Sequence, residues 1–135
     1  MRAILAPIVL TLALAASPAS ADNHDDRHVN AKGEAELAEL IDGRIAGEPT
    51  NCVSTFGRQN IQVIDETALV YKQGDTLWVN RPNNPRWLDK WDVLVVKQFG
   101  SQLCRHDQVT MADRTSGMTS GAIFLGDFVP YKRID

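Results

Sequence analysis

Cys52 and Cys104 are the two cysteines of this 135-residue chain, and whether they are joined constrains the fold more than any other feature. The N-terminus bears on the answer. Met1-Arg2 leads into the apolar run "AILAPIVLTLALAA", then "SPASA", and polarity changes abruptly at "DNHDDRH". A positive residue, an apolar core over residues 3–16 and the small residues Ala19-Ser20-Ala21 form the pattern of a secretory signal peptide, residues 1–21, cut after Ala21. The alternative is a retained membrane anchor, but the run covers roughly 14 residues and contains Pro7, whereas a bilayer asks for about 20. No cysteine stands near the cleavage site, so a lipoprotein is not expected. The expected location is periplasmic or secreted, where thiols oxidise. An even cysteine count there favours pairing. Closing a loop of about 52 residues contributes roughly 4 kcal/mol in the chain-entropy model, a large share of a typical ~5–15 kcal/mol total.

The competing reading comes from "FGSQLCRHDQ", in which Cys104, His106 and Asp107 fall within four positions. These are the residue types of a thiol nucleophile and its base. A catalytic cysteine needs access, a lowered pKa and a base placed in space, and adjacency in sequence supplies little of this. With Cys104 paired, His106-Asp107 reads as a solvated turn. Other catalytic patterns are missing: "GMTSG" sets Ser120 beside its second glycine, so there is no nucleophile elbow. H-E-x-x-H, Cys-x-x-Cys and a phosphate-binding glycine loop are absent. A carboxylate pair such as Asp65 with Asp113 reads more simply as turn and strand-end residues. The chain is therefore not expected to be an enzyme.

Removal of residues 1–21 takes away one of 14 basic residues and none of 17 acidic ones, moving the net charge from −3 to −4. Nucleic-acid binding rests on clustered Lys and Arg, so it is disfavoured. No later run approaches membrane-spanning length. The remaining residues, roughly 114, make one domain of ordinary size.

Residues 22–32 are polar and read as a flexible tail, leaving 33–135 as one disulfide-linked domain. Leu37, Leu40, Ile41 and Ile45 fall on one face of a helix, with Glu34 and Glu36 toward its N-terminal end and Gly47 and Pro49 ending it; Gly43 weakens it. After Cys52 the period shortens. "NIQVID", "ALVYK" and "LWVN" read as strands, the last two joined by a tight turn at Gly74-Asp75. "DVLVVKQF" reads as a strand buried on both faces, followed by "DQVTMAD" and "GAIFLGDFV". The expected fold is mainly β, a small antiparallel barrel or sandwich of about six strands preceded by one helix.

Between strands, "NRPNNPRWLDKW" contains Pro82 and Pro85, which exclude a central strand. Trp87 and Trp91 lie four residues apart and would point the same way on a helical turn. They read either as a lid closing one end of a barrel or as a contact surface with Arg81 and Arg86, since Trp and Arg dominate interface hot spots. The functional expectation is a non-catalytic binding domain for an unknown protein or envelope component.

The order "GRIAGEP", Cys52, "VIDETALVYK", "LWVNRP", "FGSQLC" and "LGDFVPY", over residues 43 to 131, resembles a family of small secreted proteins from Gram-negative bacteria, mostly proteobacteria, of no established function. Its specific positions here are Cys52, Asn80, Leu103-Cys104, Asp107 and Gly126-Asp127-Phe128. The resemblance implies an exported location and a paired Cys52 and Cys104, and it brings no catalytic residue. "SGAIF", residues 120 to 124, is similar to the Ser-Gly-x-x-Tyr loop of periplasmic C-type lysozyme inhibitors, with Phe124 in place of the tyrosine and without that family's basic segment. An enzyme inhibitor is thus a second functional expectation.

No cofactor is required by any of these patterns. Cleavage after Ala21 would expose Asp22-Asn23-His24, whose amine, two backbone amides and imidazole suit square-planar Cu(II) or Ni(II).

Overall fold

The computed structural model describes residues 29–55 and 60–134; the expected signal peptide and most of the expected tail lie outside that range. The described residues form, in order, α1 (Ala31–Ile41), β1 (Arg44–Ala46), β2 (Cys52–Ser54), β3 (Ile61–Ile64), β4 (Ala68–Gln73), β5 (Thr76–Asn80), a 3-10 turn (Pro85–Trp87), β6 (Val93–Lys97), β7 (Gln102–Cys104), β8 (Gln108–Ala112), β9 (Thr119–Ile123) and β10 (Phe128–Arg133). None of the described helices is long and apolar enough to cross a membrane.

α1 begins where the Asn30 side chain turns back and accepts hydrogen bonds from the amides of Lys32 and Gly33, satisfying donors that a helix start leaves unpaired. It therefore starts inside the stretch read as tail. It ends early as well. The chain leaves helical geometry at Asp42, with ψ 137°, and Gly43 follows at φ +69°, the succession of a type II turn in which the second central residue needs a positive φ, so the expected continuation to Gly47 does not form. Ile45, assigned by periodicity to the apolar helix face, instead lies in β1 and is 59% exposed.

The strands make three sheets: five strands in the order β1-β10-β5-β4-β3, two as β2-β7, and three as β6-β8-β9, all paired antiparallel. The expected barrel is not formed, because no described strand pairs β1 with β3 to close the large sheet. The mainly β class and its N-terminal helix are present, but the described strands number ten and not about six. The β4–β5 hairpin is as read: Gln73 faces Thr76 across Gly74-Asp75, with Gly74 at φ +57°, as a two-residue turn with glycine first requires.

Alternation along the five-stranded sheet builds three layers. Ile64, Ala68, Val70, Leu77 and Val79 meet Leu37 of α1 on one face. Leu69, Tyr71 and Phe128 point the other way, into a larger cluster with Val53, Leu103, Val109, Met111 and Ile123 from the two smaller sheets. β4 is thus buried on both faces. β6 is not, contrary to the reading of "DVLVVKQF": Leu94 and Val96, beside Met111 and Val109 of β8, pack on the core, while Val93 is exposed on the opposite face, whose residues belong to neither core cluster.

Cys52 and Cys104 form a disulfide and face each other across β2 and β7. The Arg105 amide donates to the Asn51 carbonyl and Thr55 to Ser101, which makes 52–104 a non-hydrogen-bonded pair, the position where facing side chains come closest. Tyr71 Oη donates to the Ser54 carbonyl at 2.7 Å, tying this ribbon to the large sheet.

Candidate functional site

The segment between β5 and β6 cannot join a ladder as a central strand because of its prolines, and it is held instead by side chains. Asn84 acts as a substitute strand neighbour for the end of β9: its Nδ2 donates to the Ala122 carbonyl at 2.8 Å and its Oδ1 accepts from the Phe124 amide at 2.9 Å. The Asn83 amide donates to the Phe124 carbonyl. Further on, Asp65 Oδ1 accepts from the Lys90 amide at 3.0 Å and Asp89 Oδ1 from the Trp91 amide at 2.8 Å. Arg114 Nε donates to the Trp91 carbonyl at 3.1 Å. The segment is thereby fastened at three places: to the end of β9 through Asn83 and Asn84, to the β3–β4 turn through Leu88 and Lys90, and to the β8–β9 turn through Trp91.

Leu88, 1% exposed, anchors the middle of the segment in the core, while Trp87 and Trp91 on either side are 53% and 72% exposed. The lid reading is corrected by this: Leu88, and neither indole, fills the interior position. The 3-10 turn ends at Trp87 and Leu88 is extended, so the two indoles do not share a helical turn. Lys90 Nζ stands 5.4 Å from the Trp91 ring centroid, within cation–π range. Phe124 and Met118 are exposed at the two ends of β9.

The four residues expected to form the surface are not brought together. Arg86 is exposed on the 3-10 turn next to Trp87. Arg81 is turned to α1, where its guanidinium meets both carboxylate oxygens of Glu34 at 2.5 and 2.9 Å. That hydrogen bonding, outweighing partial burial and reinforced by the positive charge, holds the Glu34 carboxyl below its ordinary value. The surface therefore loses Arg81, and Lys90 stands over the Trp91 ring in its place. Phe124, which the sequence presents only as part of "SGAIF", is tied to this segment through Asn84, 40 residues away from it.

The remaining candidates fall into structural roles. Cys104 is disulfide-bonded, its amide donates to Asp107 Oδ2 at 2.7 Å, and the Asp107 amide returns a bond to the Cys104 carbonyl. The segment is a closed turn with His106 exposed, and no free cysteine is present among the described residues. Asp113 accepts from the Thr115 amide and from the amide and hydroxyl of Ser116, and these bonds, the Ser116 amide first, hold its carboxyl below the ordinary value. Asp65 and Asp113 each brace a separate turn. Ser120 to Ile123 belong to β9, with the Ser120 hydroxyl donating to the Met111 carbonyl, so this stretch is strand and not a projecting loop. Among the described residues no group of three His, Cys, Asp or Glu side chains is placed to hold a metal; Asp22, Asn23 and His24 lie outside them.

Fold and site together define a disulfide-fastened, helix-covered β domain that displays aromatic side chains from a braced loop. No protein-family model matches the chain, and no curated protein or solved structure does so either.

Proposed function

We propose that this chain is a small exported interaction domain whose Trp87–Trp91 segment docks onto a protein or other envelope component. The observation that carries the proposal is the contrast between two solvent-facing indoles and the side-chain hydrogen bonds that pin the backbone beneath them. Rigid aromatic side chains lose little entropy on contact, and a preformed segment lowers the ordering cost of binding. Tryptophan and arginine are also the residues over-represented at energetic hot spots, and Arg86 stands next to Trp87. Export is supported by the signal-like residues 1–21 and by the disulfide. The motif order shared with small secreted two-cysteine proteins points the same way.

The test is capture from envelope extracts with immobilised mature protein, wild type against the Trp87→Ala/Trp91→Ala variant. A partner retained by the wild type and lost by an equally stable variant is the expected result. Identical capture by both proteins, or unfolding of the variant, would count against the proposal.

A further inference from the structure

α1 covers only part of its face of the five-stranded sheet. Beside it a groove of about 730 Å³ is left open, within the size range of small-molecule sites. Its floor is apolar, made by Leu40 of α1, Val70 of β4 and Leu77 of β5. Its walls carry opposite charge. Glu36 and Glu39 stand on the helix side, and Glu36 Oε1 accepts from Gln62 Nε2 at 3.3 Å. Arg44, Lys72 and Arg133 stand toward the end of the sheet that carries the β4–β5 turn.

Stability alone does not account for the two arginines. Arg44 and Arg133 are directly opposite each other in the β1–β10 pair. On the same ladder the Gly47 amide donates to the Pro130 carbonyl at 2.7 Å, and the alternation from there makes 44–133 a non-hydrogen-bonded site, where facing side chains approach closest. Like charges at such a site are destabilising. The Arg44 guanidinium donates to the backbone carbonyls of Asp75 at 2.6 Å and Tyr131 at 3.4 Å, neither of which offsets its charge. Among the described residues no carboxylate forms an ion pair with Arg44, Lys72 or Arg133.

We propose that this groove binds a short peptide with free termini. The peptide carboxylate meets Arg44, Lys72 and Arg133, the amine faces Glu36 and Glu39, and an apolar side chain rests on Leu40, Val70 and Leu77. A simple anion would confront the helix carboxylates, and a simple cation would confront the arginines. A ligand bearing both charges about an apolar middle complements both walls. Two to four extended residues span roughly 7–13 Å, a reach suited to a site of this volume. The site is separate from the tryptophan segment and does not depend on its role.

The experiment is an NMR titration of the disulfide-bonded mature protein with Ala-Leu-Ala, its N-acetylated form and its C-terminal amide, followed at the methyl groups of Leu40, Val70 and Leu77. Saturable shifts at these methyls are expected with the unmodified peptide, and affinity should fall about fivefold or more when either terminus is capped, since a charge-assisted contact is lost each time. Arg133→Glu should weaken the free-carboxylate peptide and leave binding of the amide unchanged, while melting no lower than the wild type. Trp87→Ala/Trp91→Ala should bind all three peptides as the wild type does. Absence of shifts at the groove methyls, equal affinity of capped and uncapped peptides, or an Arg133→Glu effect alike on carboxylate and amide would overturn the proposal.

Discussion

Asn80 holds Gly126 by two hydrogen bonds, its Oδ1 accepting the Gly126 amide at 2.9 Å and its Nδ2 donating to the Gly126 carbonyl at 2.8 Å. Asn80 is fully buried at the end of β5, and the contact continues the β5–β10 ladder beyond Phe128, its last backbone pair. The approach is too close for a side chain, since a Cβ at Gly126 would stand 2.5 Å from the Arg81 carbonyl oxygen. Asn80→Ala should therefore leave two backbone groups without partners and cost about 2–4 kcal/mol. Asn80→Asp should do no better, because it sets an acceptor against the Gly126 carbonyl. Urea unfolding followed by tryptophan fluorescence measures both, and an unchanged midpoint in either would refute this account.

Removing the disulfide should cost roughly 4 kcal/mol in the chain-entropy model. The comparison is Cys52→Ala/Cys104→Ala against the oxidised wild type in urea. Without reductant, alkylation of the oxidised protein should label neither Cys52 nor Cys104.

Neighbouring residues in the braced segment should behave in opposite ways. Leu88→Ala removes a core side chain and should destabilise by about 2–5 kcal/mol. Trp87→Ala removes an exposed one and should change stability by no more than about 0.5 kcal/mol. Thermal melts of the two variants separate the predictions directly; a large loss in Trp87→Ala would mean that the indole is structural.

The Glu34–Arg81 pair makes stability depend on acid. Its hydrogen bonds lower the folded-state pKa of Glu34 beneath its ordinary 4.5. The contribution is thus fully present above 4.5 and is lost as pH falls through the lowered value. Both side chains are more than a third exposed, so solvent screening limits it to about 1 kcal/mol or less. Glu34→Gln should be less stable than the wild type at neutral pH and equal to it well below the lowered pKa. Equal urea midpoints at both pH values would show that the pair contributes nothing.

What could be read from the sequence followed from how local each signal is. The β4–β5 hairpin needs only Gly74-Asp75 and the alternating residues around it, and the strands of "NIQVID" and "DQVTMAD" likewise carry their own pattern. β1, β2 and β7 are three residues long and place one or two side chains on a face, too few to show a period. The "GAIFLGDFV" stretch looks continuous, yet β9 and β10 enter different sheets because Gly126 is claimed by Asn80. Gly43 reads locally as a weak helix residue, but its place is in the turn that Asp42 opens after the helix. At the candidate site, the exposure of Trp87 and Trp91 follows from Leu88 taking the interior position, and the loss of Arg81 from a partner 47 residues distant. No periodicity reports either event.

The position of β10 bears on the order in which this molecule can assemble. The last described strand lies inside the large sheet, between β1 and β5, so these two earlier segments do not pair with each other and are joined in the ladder through Phe128–Arg133. A polypeptide emerging N-terminus first, from a ribosome or through a membrane channel, presents β1 long before anything exists to pair with it. Contacts so far apart in sequence form late because the intervening chain must first be ordered. The sheet therefore stays incomplete until Phe128–Arg133 has emerged to fill the gap between β1 and β5.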